Sequence, residues 1–406
     1  MVAKLPIELV RLIVTFVRED NNSHETLAAC SVVCRSWNDI CLDYLFKSII
    51  IHHESLTRLC YTASHISECI HNLCVSFDNQ DCFANDWNFI LNSNPESWGR
   101  FKNLRTLCLE NGIAPLTDYR PSPLSVTTFL LAAPCLKELT FRGWTFARAS
   151  AIQFMLELSS KTLEQLSFDG VSFQEDHECI APPIRMDSLR RLGFPPRCHP
   201  RIECPNLQSL IVRIEGRERW VIPSWVPSGL HDLTLHATAR DPIPDLGKNI
   251  QPVHFMVNLC GPVTYFRFMN WVRVCVDRLP FPDRLRRLTI NIEKYLFGSE
   301  VCYPQPRDYE NILQVLQQIR GRGVLEHIDL KVTIRIEEII ATPDWTNEQR
   351  REVKKLKQGL GPLFEANILH VAFALHRCFD GPEEDEILMG WDGCTVDGGL
   401  TLRQHH

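Results

Sequence analysis

The chain has 406 residues, 45% hydrophobic and 23% charged, the balance of an ordinary globular protein with room for two or three domains, or for one short domain and an elongated array. Its 43 Lys and Arg against 49 Asp and Glu leave a net charge of −6, which excludes the polycationic pull of a non-specific nucleic-acid binder. No apolar run reaches membrane-span length, Glu8 and Arg11 interrupt the early stretch where a secretory signal would sit, and 17 irregularly spaced cysteines point to a reduced compartment, cytosol or nucleus.

The first predicted element is a helix opening at Leu5-Pro6-Ile7-Glu8-Leu9. Pro6 suits a helix start because its missing N–H falls among groups that are unpaired there anyway, and Glu8 complements the positive end of the helix dipole. Leu9, Leu12, Ile13 and Phe16 recur at helical spacing as one apolar stripe. Asp20-Asn21-Asn22-Ser23 supplies cap residues for a second helix, whose stripe runs Leu27, Cys30, Val33 and Cys34. A third carries Trp37, Ile40, Cys41, Tyr44 and Leu45. A unit near forty residues buries too little surface to fold unaided, so its apolar stripes need the rest of the chain or another protein to pack against.

Taken in order, Leu5, Pro6, Glu8, Leu9, Ile13, Leu27, Val33, Cys34, Arg35, Trp37, Leu45 and Phe46 resemble the F-box, which likewise opens with Leu-Pro-x-Glu and later carries Val-Cys-Arg-x-Trp. The polar connection from Arg18 to Glu25 is longer than is usual in that family. The resemblance implies that residues 1–50 dock on a Skp-type adaptor and, through it, on a cullin scaffold. It carries adaptor contact onto Leu5, Pro6, Leu9, Ile13, Leu27, Val33, Cys34 and Trp37, some of which must instead belong to the internal core.

Beyond residue 50 a short pattern recurs, an apolar residue, a second three later and a third two after that. Leu104-Leu107-Leu109, Leu136-Leu139-Phe141, Leu163-Leu166-Phe168 and Leu189-Leu192-Phe194 are followed by Leu207-Leu210-Val212, Leu230-Leu233-Leu235, Leu285-Leu288-Ile290 and Leu325-Ile328-Leu330. Ile70-Leu73-Val75, Ile250-Val253-Phe255 and Ile368-Val371-Phe373 are weaker members. The last two positions alternate as on a half-buried strand. Helical stripes precede several units: Val126, Phe129, Leu130 and Ala133; Ile152, Met155 and Leu156; Phe268, Val272, Cys275 and Leu279; Ile312, Val315, Leu316 and Ile319. Helix then strand, repeated, requires parallel strands with the helices returning on one side.

This pattern resembles the divergent leucine-rich-repeat arrays behind many F-boxes, here of fungal type. The place where a regular array carries Asn or Cys holds Gly112, Trp144, Val171 and Arg197, and the unit lengths vary beyond the usual span of about 20–29 residues. The expected fold is therefore an α+β or α/β repeat: a three-helix F-box over 1–50, an irregular horseshoe with parallel strands over 51–380, and an acidic, glycine-bearing segment over 381–406. From about 174 to 262 prolines thicken and extended connections are expected, Thr346 to Leu360 reads as a charged helix, and Glu383-Glu384-Asp385-Glu386 opens what reads as a solvated tail.

Catalytic signatures are missing: there is no nucleophile elbow, phosphate-binding loop or His-Glu-x-x-His, and no cofactor or metal is expected. Cys198-His199 with Cys204, and His52-His53, are the nearest metal candidates and lack a framework of Cys-x-x-Cys pairs. What remains is a surface. Residues flanking the buried strand positions face the inner side of such an array: Glu110, Glu138, Arg142, Gln165, Asp169, Arg213, Asp232, His236, Arg287, Asn291, His327, Asp329 and Lys331. Both signs of charge suit a protein target, with no nucleic-acid or membrane partner, and Trp144, Trp220 and Trp225 are either anchors for it or loop core. The chain thus reads as a non-enzymatic substrate receptor of an SCF-type ubiquitin ligase. The alternative is a ligase-independent repeat scaffold whose first helices serve only as a cap.

Overall fold

The computed structural model describes residues 5–18, 23–52, 55, 59, 64–77, 101–114, 133–146, most of 152–173, 183–194, 202–214, most of 220–260, 265–279, 284–296, 314–319, 325–336, 369–377 and 385–391. The chain forms two compact units, Met1–Asn206 and Leu207–His406.

Unit 1 begins with three helices, α1 (Ile7–Arg18), α2 (Ser23–Ser31) and α3 (Arg35–Leu45). They enclose a small core of Val10, Val14, Leu27, Ile40 and Cys41, with Val17, Cys30, Trp37, Tyr44 and Leu45 packed around it. The first strand follows α3 almost at once: β1 (Ser48–His52) pairs in parallel with β2 (Asn72–Ser76). The Lys47 carbonyl between helix and strand accepts hydrogen bonds from the backbone N–H groups of His71 (3.0 Å) and Asn72 (2.9 Å). Ahead of β2, α4 (Ser64–Cys69) lies against α3, where the Asp43 carboxylate takes a hydrogen bond from the Cys69 thiol. The sheet therefore starts at Ser48, within the segment expected to be purely helical.

The sheet of unit 1 runs β1-β2-β3-β5-β7-β10, all parallel, with β3 at Thr106–Glu110, β5 at Glu138–Arg142, β7 at Gln165–Asp169 and β10 at Arg191–Phe194. Leu73, Leu107, Leu139, Leu166 and Leu192 stand in register across it, and Val75, Leu109, Phe141 and Phe168 form the next row. Each of these side chains is buried. Because a strand turns alternate residues to opposite faces, the leucine pattern of the sequence becomes two apolar rows on one face.

The turn after each strand repeats as well. Asn111, Gly143 and Gly170 occupy the left-handed region with φ of 55°, 62° and 60°, each directly after β3, β5 or β7. That bend feeds the short strands β4 (Ile113–Ala114), β6 (Thr145–Phe146) and β8 (Ser172–Phe173), which form a second, parallel sheet. An aromatic cluster replaces the expected Asn or Cys inside this bend. Trp144 meets Phe77 (5.4 Å) and Phe141 (5.7 Å) edge-on, and Phe141 stacks on Phe168 at 5.6 Å. Gly112 makes room for it, since a Cβ there would fall 2.4 Å from the Trp144 ring. Two further short strands, β9 (Ile184–Arg185) and β11 (Ile202–Glu203), pair with each other.

Unit 2 carries β12 (Ser209–Arg213), β13 (Asp232–Thr238), β14 (His254–Cys260), β15 (Arg287–Leu296), β16 (His327–Ile336), β17 (Leu369–Arg377) and β18 (Asp385–Trp391), paired in that order. Pairing is parallel up to β17, whereas β18 runs antiparallel to it with an irregularity between Phe373 and Ala374. Asp385 and Glu386, from the acidic stretch read as a solvated tail, thus lie in an edge strand, because the β17 edge offers N–H and C=O groups to pair with. The helix α5 (Tyr265–Asp277) precedes β15 and buries Phe268, Val272 and Cys275, with Leu279 just beyond its end. A helical segment over 314–319 precedes β16 and buries Val315, Leu316 and Ile319. Between 183 and 260 the described residues hold no helix, as the proline content predicts.

Two registers differ from the sequence reading. Phe255 pairs with Leu233 and Val257 with Leu235, so the unit there is Pro252-Phe255-Val257 and not Ile250-Val253-Phe255. At the last parallel strand Leu369 pairs with Ile328 and Val371 with Leu330, which displaces Ile368-Val371-Phe373 by two as well. In both places several apolar residues satisfy the spacing, and the backbone ladder decides among them. The helix read over Thr346 to Leu360 and the stripe from Val126 to Leu130 lie outside the described residues.

Candidate docking surfaces

Helix α1 carries two apolar stripes, and only one of them serves the core. Val10 and Val14, four residues apart, point inward at 2% and 0% exposure. Leu9, Leu12, Ile13 and Phe16 point outward at 46%, 52%, 39% and 66%. At 3.6 residues per turn these four share one side of the helix. The stripe read in the sequence is therefore the outer one, and the valines between its members make the core. Leu5 (46%) continues the exposed apolar surface ahead of the helix, where the Pro6 carbonyl accepts hydrogen bonds from the N–H groups of Leu9 and Val10.

The stripe drawn through Leu27, Cys30, Val33 and Cys34 does not continue past the end of α2. Leu27 is buried and Cys30 packs beside it, but α2 ends at Ser31. Val32 and Val33 then form an exposed turn at 83% and 64%, and Cys34 caps α3 with an extended backbone. Of the eight residues assigned to adaptor contact, Leu5, Pro6, Leu9, Ile13, Val33 and Cys34 are exposed, whereas Leu27 is core and Trp37 packs against that core. Leu12, Phe16 and Val32 are exposed apolar side chains that the assignment left out. Leu12 and Phe16 share the period of Leu9, which was the available signal.

A second surface is the strand face opposite the leucine rows. In unit 1 it brings Glu138 and Gln165 into one row, Glu110, Arg142 and Asp169 into another, and Cys74, Cys108, Thr140 and Ser167 into the row between. The Arg142 guanidinium donates to Glu110 and lies 3.5 Å from Asp169. Burial, reinforced by the neighbouring Cys74 and Glu110, pushes the Cys108 thiol up to about 12, and burial raises that of Cys74.

In unit 2 the same face carries a connected polar network. His254 Nδ1 lies 3.2 Å from Asp232 Oδ1, and its Nε2 lies 3.0 Å from the Thr289 hydroxyl. Thr289, buried although on this face, donates to Asp329 at 3.4 Å. Arg287 donates twice to Asp329 Oδ2 (2.9 and 2.8 Å), and His327 Nε2 lies 2.9 Å from Oδ1. Burial alone would raise the Asp329 carboxyl, but the Arg287 hydrogen bonds and the His327 charge outweigh it and hold it below its ordinary value. For His254 burial outweighs the attraction of Asp232, so its pKa lies below the ordinary 6.5. In the next row Arg213, His236, Asn258, Asn291 and Lys331 stand in register. Asn291 donates to Asn258 Oδ1 at 2.6 Å, and the Asn258 amide approaches the His236 ring at 3.2 Å.

The thirteen strand-face residues named from sequence thus occupy this face of their own units, Glu110, Glu138, Arg142, Gln165 and Asp169 in the first, and Arg213, Asp232, His236, Arg287, Asn291, His327, Asp329 and Lys331 in the second. His254, Thr289 and Asn258 were missed. The displaced register at Ile250 put His254 and Asn258 two residues out of line with β13 and β15, whereas Thr289 lies between the correctly placed Leu288 and Ile290, where strand alternation already marked it. Trp144 and Trp220 are buried core and Trp225 is half-buried. Cys198, His199 and His53 lie outside the described residues, His52 is exposed on β1, and Cys204 is buried with its thiol pushed up to about 12.

Residues 2–52 match the family model described as F-box-like. The match covers α1 to α3 and all of β1. No curated protein matches the chain.

Proposed function

We propose that the chain is a substrate receptor of an SCF-type cullin–RING ubiquitin ligase. Residues 2–52 are an F-box-like domain, and domains of this kind generally bind Skp-type adaptors. The observation that carries the reading is the outward stripe of Leu9, Leu12, Ile13 and Phe16 on α1, with Val33 in the α2–α3 turn exposed as well. The domain already has its own core in Val10, Val14, Leu27, Ile40 and Cys41, so folding of the three helices leaves that stripe without a use. Contiguous exposed apolar surface on a small domain marks an interaction site.

In this reading the two strand faces hold a protein target. Their mixed charges, preset by Arg142 between Glu110 and Asp169 and by Arg287 on Asp329, favour a partner of complementary pattern. The receptor contributes proximity: a target held beside the charged ubiquitin carrier reacts as if at raised local concentration, and no residue of this chain performs chemistry. The array is a divergent leucine-rich repeat working in cytosol or nucleus. Binding of the full chain to a Skp-type adaptor is the test.

A second reading, a ligase-independent scaffold with a helical cap, draws on the direct passage of α3 into β1 and on the contact of α3 with α4. A cap accounts for the inner stripe of α1. It gives no role to the outer one.

A further inference from the structure

The strand register of unit 1 brings together three side chains that the sequence keeps apart. Cys74, at the centre of β2, pairs directly with Cys108 at the centre of β3. Glu110 follows Cys108 by two residues and so projects to the same face. Cys108 Sγ lies 3.6 Å from Glu110 Oε1, and the donor atoms of all three residues lie within 4.8 Å of one another. All three side chains are half-buried, so they are held by their surroundings yet open to solution.

We propose that Cys74, Cys108 and Glu110 form a binding site for a thiophilic divalent cation of the zinc class. The donor set decides the class: two sulfurs select zinc over magnesium or calcium, which take oxygen donors. Zinc–sulfur bonds of about 2.3 Å and zinc–oxygen bonds of about 2.0–2.2 Å place tetrahedral donors roughly 3.5–3.8 Å apart. The Cys108–Glu110 pair is already at that spacing, at 3.6 Å, and Cys74 lies within 4.8 Å of both, on two strands fixed by their hydrogen bonds. Each thiol releases its proton to solvent on coordination. Two thiolates, one carboxylate and a dication then carry a net charge of −1, beside the Arg142 guanidinium. Arg142 can keep its Asp169 contact while Glu110 turns to the metal, so no charge is stranded. Three protein donors leave the fourth position to water. Packing explains Cys41 and Cys275, which lie in the core, but not two cysteines side by side on the face away from the leucine rows.

The test uses the full chain with its thiols reduced, Zn2+ and Co2+ as probes, and residue-resolved alkylation read by mass spectrometry. Zn2+ should slow alkylation of Cys74 and Cys108 together by roughly tenfold or more, in line with the loss of thiolate access on ligation. The exposed Cys34 and Cys135 should react as before. Co2+ should bring up a sulfur-to-cobalt charge-transfer band at one equivalent, lost in Cys74→Ser and Cys108→Ser and requiring roughly tenfold more metal in Glu110→Gln. Unchanged alkylation of Cys74 and Cys108 in the presence of Zn2+ overturns the proposal, and this arm needs no variant to fold. A cobalt band that persists undiminished in a folded Cys74→Ser, Cys108→Ser double variant overturns it equally.

Discussion

Leu9 and Val10 are neighbours in sequence and face opposite ways: Val10 is 2% exposed inside the helical core, and Leu9 is 46% exposed on the outer side of α1. That division separates what holds the domain together from what is left for a partner. Val10→Ala should lower stability by about 1–3 kcal/mol, the usual cost of deleting buried methyl groups and leaving a cavity. Leu9→Ala should leave the unfolding midpoint unchanged within about 0.5 kcal/mol. Urea denaturation of both variants checks the contrast, and equal losses would contradict the assignment of the two stripes.

The repeated bend after β3, β5 and β7 makes a second contrast. Gly112→Ala would drive a Cβ into the Trp144 ring at 2.4 Å, where the ring is locked by Phe77 and Phe141. Overpacking of that kind costs about 1–3 kcal/mol. At Gly170 a Cβ has ordinary space, its nearest neighbour lying 3.7 Å away, so Gly170→Ala bears only the left-handed backbone, about 1 kcal/mol. Thermal or chemical denaturation should rank Gly112→Ala as the more damaging. The reverse order would mean that the aromatic cluster yields more readily than the backbone.

The network around Asp329 and His254 ties stability to pH with a definite sign. His254 has its pKa lowered from 6.5 in the folded state, so the native protein binds fewer protons there than the unfolded chain does. Its contribution is complete above the unfolded value and is lost as pH falls from about 6.5 towards the folded one. Asp329 acts lower on the scale: its depressed carboxyl contributes fully above the ordinary value of 3.8, and that contribution is lost as pH falls through the folded value. Denaturation midpoints measured from pH 7.5 downward should decline below pH 6.5, and His254→Gln should flatten the first part of the decline. An unchanged slope in that variant would contradict the assignment.

Much of this architecture was legible because strand alternation is a local property. Leu107 and Leu109, or Leu233 and Leu235, declare a buried face by themselves. Direction and register were harder. Both stripes of α1 are apolar, and nothing in their spacing says which one meets Leu27 and Ile40. Near residue 253 the buried Ile250, Pro252 and Phe255 all satisfy the pattern, and only hydrogen bonding from Val253 and His254 to the His231 carbonyl selects the pairing that brings His254 beside Asp232. Cys74, Cys108 and Glu110 were invisible for a related reason: their meeting depends on the pairing of β2 with β3 and on no motif along the chain.

The two readings of the helical segment part on removal of residues 1–46. If the helices are chiefly a cap, loss of α3 exposes the start of the sheet, and the remainder should lose its cooperative unfolding transition. If they are chiefly a dock, the remainder should keep a cooperative transition, seen by calorimetry, with adaptor binding abolished.

The most direct measurement is isothermal titration of the full chain with a Skp-type adaptor, beside a Leu12→Ser, Phe16→Ser variant. Both positions are exposed at 52% and 66%, so the variant should melt as the wild type does. The wild type should form a one-to-one complex, and the variant should bind at least about 100-fold more weakly, the loss of two apolar anchors at an interface. A folded wild-type chain that does not bind the adaptor, or a variant that binds it equally well, would contradict the account.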